Sequence, residues 1–294
     1  MRRFQLSLLA LIAVALITIQ PAWAAPDAAS VFRRVWERQD KPVEDLIANR
    51  SWTWGRLVSP VVLGTAITRE AFADIPGGSR EVLYFDKSRM EINNPAADSN
   101  AIWYVTNGLL PVELITGKLQ IGYTQFEDRP AAQVAAVGDP GQFPTYADLR
   151  RLYQSPGAVN PADLGKPATG FLNPDGSISG FNGYANDGAT LLVRGENNHG
   201  VAKAFVDFMN GRGIIYEEGR YIRDQVYDPL FVFGLPITGA YWVKVRVGGI
   251  ERPILFQVFE RRVLTYNPAN PAGWQIEMGN VGQHYFEWRH GYRP

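Results

Sequence analysis

Four blocks of sequence occur twice, in the same order, along this 294-residue chain. "VFRRVW" (Val31–Trp36) has a counterpart in "AFVDFM" (Ala204–Met209), and "LGTAIT" (Leu63–Thr68) in "FGLPIT" (Phe233–Thr238). "YFDKSRMEIN" (Tyr84–Asn93) answers "VFERRVLTYN" (Val258–Asn267), and "WYVTNGLL" (Trp103–Leu110) answers "WQIEMGNV" (Trp274–Val281). Any one block alone is weak; four in order at similar separations are not a coincidence of composition. Copies of about a hundred residues imply two versions of one supersecondary unit rather than a short-period solenoid. The expected division is 25–122 for the first unit and 198–294 for the second, with 123–197 as an inserted or linking segment. The two units are free to pack as one body, because neither is flanked by a long flexible linker.

Inside the third block a Phe is followed by an acid and a base: Phe85-Asp86-Lys87, then Phe259-Glu260-Arg261. Met90 or Leu264 lies five positions past the Phe, and Ile92 or Tyr266 two further on. Strict alternation puts a residue five positions on upon the opposite face of a strand. If all three groups face one core, the chain bends or bulges at the charged residues, which places the acid–base pair at a hairpin tip or kink. The positions that define the repeat are therefore Phe85, Asp86, Trp103 and Gly108, with Phe259, Glu260, Trp274 and Gly279. Elsewhere short apolar runs alternate with Gly, Pro, Asn and Asp, the grammar of strands and turns. "GFLNPDGSISGFNG" reads as a hairpin turning at Asp175-Gly176.

Three short helices complete the reading. The first starts near Asp27 or Ser30, buries Val31, Phe32, Val35 and Trp36, and should stop at Pro42. A second carries a capping box of Thr145 and Asp148 and a stop at Gly157. A third buries Val201, Phe205, Phe208 and Met209 and ends at Gly211. The expected fold class is mainly β (α+β): two related helix-plus-β-hairpin units and an intervening segment.

The N-terminus carries Arg2 and Arg3, then a largely apolar run, then "PAWAA" with Ala22 and Ala24 as the small residues of a cleavage site. This pattern reads as a signal peptide cut after Ala24, with Pro21 arguing against the alternative of a retained membrane anchor. The expected location is secreted, extracellular or at the cell surface, with no membrane span after cleavage. The chain has no Cys, which removes thiol nucleophiles, thiolate metal sites and disulfides, so an exported fold must rely on its core. A formal net charge of zero leaves no electrostatic footprint for nucleic acid.

The order F-[DE]-x-x-x-[LM]-x-[IY]-N-P, with "FGLPIT", resembles the LGFP-type repeats of exported, cell-wall-associated bacterial proteins. The C-terminal run from Phe233 to Tyr285 is more closely similar to a family of secreted proteins of filamentous bacteria that carry FGxPIT and FERRVLTYNP blocks, and that similarity extends over nearly all of the mature chain. The resemblance implies cell-envelope association. The chain departs from it at Lys87-Ser88-Arg89 and Arg261-Arg262-Val263, where a glycine-rich turn is expected, and at "LGTAIT", which lacks the Pro.

Glu260 with Arg261 or Arg262 has the chemistry to clamp an anionic glycan or a peptide carboxylate. Its recurrence as Asp86-Lys87 favours a structural pair pinning a bend. Among the aromatics, Trp288 and Tyr292 in the tail, and Tyr104 if Trp103 faces inward, are the candidate platforms for sugar rings. The candidate ligand residues are thus Tyr104, Trp288, Tyr292, Arg261 and Arg262. Glu91, Glu113, Glu217, Glu218 and Glu277 lie in strand-like segments, but sequence spacing does not define a catalytic carboxylate pair. His199, His284 and His290 form no zinc motif, "GSISG" lacks the nucleophile serine, and the Asx-rich "NNPAADSN" is a turn rather than a calcium loop. No metal or cofactor is expected. The favoured function is a non-enzymatic binding or structural module for a wall or surface glycan or an envelope protein; the alternative is an exported peptidoglycan or polysaccharide hydrolase with Asp or Glu catalysts.

Overall fold

The computed structural model describes residues 27–57, 67–154, 163–181, 187–193 and 199–293. The expected leader and its cleavage site, Leu63–Ala66 of the "LGTAIT" block and the stop at Gly157 lie outside these residues. After α1 (Ala28–Glu44), a meander runs through β1 (Ile67–Ala71), β2 (Ser79–Phe85), β3 (Ser88–Ile92) and β4 (Thr106–Asn107). Then come α2 (Leu110–Thr116), a small hairpin of β5 (Lys118–Gln120) and β6 (Phe126–Asp128), and α3 (Arg150–Gln154). β7 (Gly170–Leu172), β8 (Ile178–Gly180), β9 (Leu191–Val193) and β10 (Gly200–Ala202) lead into α4 (Lys203–Met209). The hairpin β11 (Arg212–Glu217) and β12 (Arg220–Gln225) precedes α5 (Pro229–Val232). A second meander, β13 (Tyr241–Val247), β14 (Ile250–Val258), β15 (Val263–Tyr266) and β16 (Ile276–Met278), ends in α6 (Val281–His290).

The fold is α+β with mostly antiparallel sheets. The first meander is a four-stranded sheet in the order β1-β2-β3-β4. The second belongs to a six-stranded sheet, β16-β15-β14-β13-β7-β8, in which β7 joins β13 in parallel. No helix among the described residues is long and apolar enough to cross a membrane.

Side-chain alternation places each sheet between the same two apolar layers. Leu83, Phe85, Met90 and Ile92 of the first sheet, and Trp242, Leu255, Phe259 and Leu264 of the second, share one cluster with Trp36, Trp54 and Phe205. Val82 and Tyr84, with Val243, Phe256, Val258 and Val263, share the other with Leu114, Tyr146 and Tyr285. Both clusters thus draw on both meanders, and the second also holds Leu149 and Leu152 from the segment expected to link them.

The acid–base pairs sit at hairpin tips, and no bulge is needed. Phe85 pairs with Ser88 and Leu83 with Met90, so the chain reverses through Asp86-Lys87 and returns its apolar residues to the face they left. In the second hairpin Val258 pairs with Val263, and the Phe259 N–H donates to the Arg262 carbonyl at 2.8 Å. Alternation along a single strand would call for a bend, but across a two-residue turn facing residues share a side.

The two tips make matching contacts. The Lys87 N–H donates to the Trp54 carbonyl and the Arg261 N–H to the Phe233 carbonyl, both at 3.0 Å. Gly55 and Gly234 hold φ values of +125° and +73°, each against the acid at a tip: an added Cβ would lie 2.9 Å from Asp86 Oδ2 or 2.7 Å from Glu260 Oε2. Trp54-Gly55 is therefore the geometric counterpart of Phe233-Gly234. The tips also reach across the molecule. Lys87 Nζ donates to the Met278 carbonyl at the end of β16 at 2.7 Å, and an Arg261 guanidinium N–H donates to the Asn107 carbonyl at the end of β4. Asn107 and Met278 occupy the same register, facing Met90 and Leu264 respectively.

Helix ends depart from expectation in small ways. α1 continues past Pro42 to Glu44, because a proline in the last turn removes one N–H without blocking those that follow. Its end is closed by Ile47 and Ala48, whose N–H groups donate to the Pro42 carbonyl at 2.9 and 2.8 Å. Neither Asp27 nor Ser30 caps it with a side chain; the Ser30 hydroxyl donates to the Asp27 carbonyl instead. The Thr145–Asp148 box forms, with the Thr145 N–H on Asp148 Oδ2 at 2.8 Å and the Asp148 N–H on Thr145 Oγ1 at 3.3 Å. Asp175-Gly176 turns the β7–β8 hairpin, Gly176 at φ +79°.

One face of the first sheet carries a buried ionic network in place of apolar packing. Register brings Glu70 opposite Arg80 and Val82 opposite Glu91, with Arg89 opposite Tyr84. Arg80 Nη1 meets Glu91 Oε2 at 2.9 Å, Arg89 Nη1 meets Glu70 Oε2 at 3.1 Å, and Arg289 of α6 meets Glu70 Oε1 at 3.2 Å. The Tyr285 hydroxyl donates to Glu113 Oε2 at 2.6 Å, and the Arg89 guanidinium lies 4.6 Å from the Tyr285 ring centre. Burial pushes the Glu91 carboxyl up, but Arg80 and Arg89 outweigh it and bring the group from 4.5 down to about 2.

Two predictions follow from this packing. Phe85→Ala and Phe259→Ala should each cost on the order of 3–5 kcal/mol in denaturant unfolding, with Glu260→Gln mild by comparison. Because the folded pKa of Glu91 lies below its ordinary value, its stabilisation is present above pH 4.5 and lost as pH falls towards about 2. Glu91→Gln should therefore be less stable than the parent by about 3–5 kcal/mol at neutral pH, through the guanidinium charges left uncompensated. Urea unfolding from neutral pH downward should show that gap closing across the same window.

Candidate functional site

α1 presents Arg34 and Arg38 one turn apart on its outer face, above Val31 and Val35. The helix is held against the β11–β12 hairpin by guanidinium–carbonyl bonds. Arg38 donates to the Val226 and Gln225 carbonyls at 3.0 and 3.3 Å, and Arg50 to the Ile214 carbonyl at 2.8 Å. Between helix, hairpin and residues 99–105 runs a groove. It consists of two adjoining clefts of about 650 and 670 Å³ that share Arg34, Arg38, Asn100 and Glu217.

The floor is apolar, with Val31, Val35, Val105 and Phe231, and the rings of Tyr104 and Tyr227. Burial raises both phenols, Tyr227 to about 12, so their hydroxyls stay neutral hydrogen-bonding groups. The rim is polar. Arg34 donates to Asn100 Oδ1 at 3.1 Å and to the Ser99 carbonyl, bridging α1 to the loop opposite. Of the rim carboxylates, Glu217 lies 3.7 Å from Arg38, Glu218 lies 3.6 Å from Arg220, Asp224 lies 3.0 Å from Arg212, and Asp228 Oδ1 accepts the Phe231 N–H at 3.0 Å; Glu37 stands on the rim beside them. Ile102 and Leu230 stand beside the groove 56% and 48% exposed.

Of the five expected ligand residues, Tyr104 alone lines this groove. Its ring is the buried one, 4% exposed, while its neighbour Trp103 is 44% exposed and packs on Phe231 at 5.5 Å between ring centres. The expected orientation of the two is therefore reversed, because they lie in a turn and not in an alternating strand. Arg262 is fully buried, its guanidinium 5.0 Å from the Trp54 ring centre, and burial brings it down to about 9. As the expected clamp for an anion it is corrected: no part of it reaches solvent. Arg261 is half-buried and engaged with Asn107. Trp288 donates its indole N–H to the Pro130 carbonyl at 2.8 Å, and Tyr292 projects from the far end of α6.

Of the five expected carboxylates, Glu217 and Glu218 both line the groove and the other three lie elsewhere. Glu91 and Glu113 belong to the buried ionic network, Glu218 lies in the β11–β12 turn 3.6 Å from Arg220, and Glu277 is on the exposed side of β16. His199 and His290 are separate from one another and from His284, and among the described residues no group of three or more His, Asp or Glu is placed to hold a metal ion. The groove itself left one trace in the sequence, Glu218-Gly219, whose φ values of +49° and +81° make the turn that sets the hairpin opposite α1.

No protein-family model, no curated protein and no solved structure matches this chain.

Proposed function

We propose that this protein is a secreted, non-enzymatic binding module of the cell envelope that holds a wall or surface polysaccharide in the groove between α1 and the β11–β12 hairpin. The observation that carries this reading is the lining of the groove: an apolar floor with neutral phenols, and a rim of amides, carbonyls and guanidinium groups. A sugar ring offers an apolar face and hydroxyl edges, which is the chemistry such walls complement. Four of the five rim carboxylates hold structural partners, which favours binding over hydrolysis. Export rests on the leader pattern of the sequence, and cell-envelope association on its LGFP-type resemblance.

The same reading includes a duplication: two related units, each a helix, a Trp-Gly or Phe-Gly corner, a meander and a closing helix. Its support is the matched tip contacts and the shared register of Asn107 and Met278.

The test is co-sedimentation of the purified full chain with isolated cell-wall and polysaccharide material. Enrichment over an inert secreted protein is expected, and Arg34→Ala with Arg38→Ala should reduce it about fivefold or more through lost rim hydrogen bonds. Absence of enrichment rejects the glycan reading. Clearing of wall material in a zymogram would instead establish a hydrolase.

A further inference from the structure

A second concave site lies where the first hairpin tip meets β16 and α6. Two adjoining cavities of about 360 and 320 Å³ share Gly138, Asn280 and His284, and neither shares a lining residue with the groove beside α1. His284 stands where they join. Its Nδ1 lies 3.0 Å from the hydroxyl of Tyr146, which is fully buried and makes no other hydrogen bond among the described residues. An unsatisfied buried O–H costs more than a spare oxygen lone pair, so the hydroxyl donates to Nδ1 and the ring proton sits on Nε2. Burial, reinforced by Arg293 and Lys87, pulls the imidazole down to about 4, which keeps that tautomer neutral.

Lys87 lines the first of these cavities. Two of its three N–H groups go to the Met278 carbonyl at 2.7 Å and to Asn280 Oδ1 at 3.1 Å, and it makes no ion pair among the described residues. The third N–H is left for the cavity. Lys87 and His284 both adjoin Asn280: Lys87 through that bond, His284 through its backbone N–H on the Asn280 carbonyl at 3.0 Å.

We propose that this cleft is a binding site for a carboxylate-bearing small molecule, its two oxygens taking the free Lys87 N–H and the His284 Nε2–H. Two donors on one cation and one neutral ring suit a planar monoanion. A phosphate dianion would face the carboxylates of Glu277 and Asp139 on the same wall with Lys87 as the one unpaired cation to offset it, since Arg293 of the second cavity is paired with Glu287 at 2.7 Å. Asp139 is itself occupied, accepting the Gly248 and Gly249 N–H groups at 2.8 Å each, and does not compete for Lys87.

The test is an NMR titration of the isotope-labelled full chain with glucuronate, acetate, inorganic phosphate and glucose. The His284 imidazole signals are told apart from those of His199 and His290 with a His284→Gln variant. Glucuronate and acetate should both shift the His284 resonances, and phosphate and glucose should not. Lys87→Met should weaken the carboxylate titrations about tenfold or more, as loss of a charge-assisted bond. Tyr146→Phe, which keeps the ring and releases the tautomer, should weaken them severalfold and covers the case in which Lys87→Met fails to fold. No response of His284 to either carboxylate, undiminished affinity in the Tyr146→Phe and Lys87→Met chains, or an equal response to glucose or phosphate would overturn the assignment. The groove reading stands or falls separately, on Arg34 and Arg38.

Discussion

Two cations at two hairpin tips tie this molecule together. Lys87 reaches from the first meander to the last residue of β16, and Arg261 reaches from the second meander to the last residue of β4. Each satisfies a carbonyl at the end of a short strand, where the ladder stops and the chain must leave for a helix. A charge-assisted bond to a carbonyl of this kind contributes more than a neutral one, and leaving that carbonyl bare in the interior costs about 1–3 kcal/mol. Because each cation belongs to one meander and each acceptor to the other, neither sheet completes its own edge. α6 adds to the exchange: it follows the second meander but lies on the first, with Gly282 so close to the β2–β3 turn that a Cβ would meet the Phe85 carbonyl at 1.9 Å.

The remaining packing answers to that arrangement. With the sheets tied tip to edge, one apolar layer collects Trp36, Trp54, Phe85 and Phe259 on one side, and the other collects Tyr84, Tyr146, Phe256 and Tyr285. The ionic network of Glu70, Arg80, Arg89, Glu91 and Arg289 then lies beneath α6, out of water. Buried charges seldom add net stability relative to apolar residues of the same shape, but they tolerate no missing partner. The network therefore fixes where α6 sits, and α6 in turn places His284 against Tyr146 and the Lys87 tip. On the other side α1, packed into the first layer by Phe32 and Trp36, is left with Arg34 and Arg38 facing the β11–β12 hairpin, and the groove is the space between.

Local chemistry was legible in the chain. The Thr145–Asp148 box, the Asp175-Gly176 turn and the tips at Asp86-Lys87 and Glu260-Arg261 follow from rules that act within a few residues. What escaped depends on distance or on turn geometry. The pairing of Trp54-Gly55 with Phe233-Gly234 shows little letter identity beyond Gly, since the shared requirement is a positive φ beside an acid from a remote hairpin. Trp103 and Tyr104 exchange the orientations expected of a strand because they occupy a turn. Glu91 and Glu113 look like ordinary strand acids until register brings Arg80 and Arg89 to Glu91, and the fold places Glu113 on α2 beside Arg89. The groove was hidden for the same reason, its walls being separated by nearly two hundred positions, from Arg34 to Asp228.

Denaturant unfolding of the full chain and of Arg261→Met reads whether the hairpin tips join the two meanders into one cooperative body. Tryptophan fluorescence and far-ultraviolet dichroism should be followed together. Coincident single transitions are expected in both proteins, with the variant less stable by about 1–3 kcal/mol for the stranded Asn107 carbonyl. Separate transitions in the parent, or an unchanged midpoint in the variant, would show that the tips do not join them.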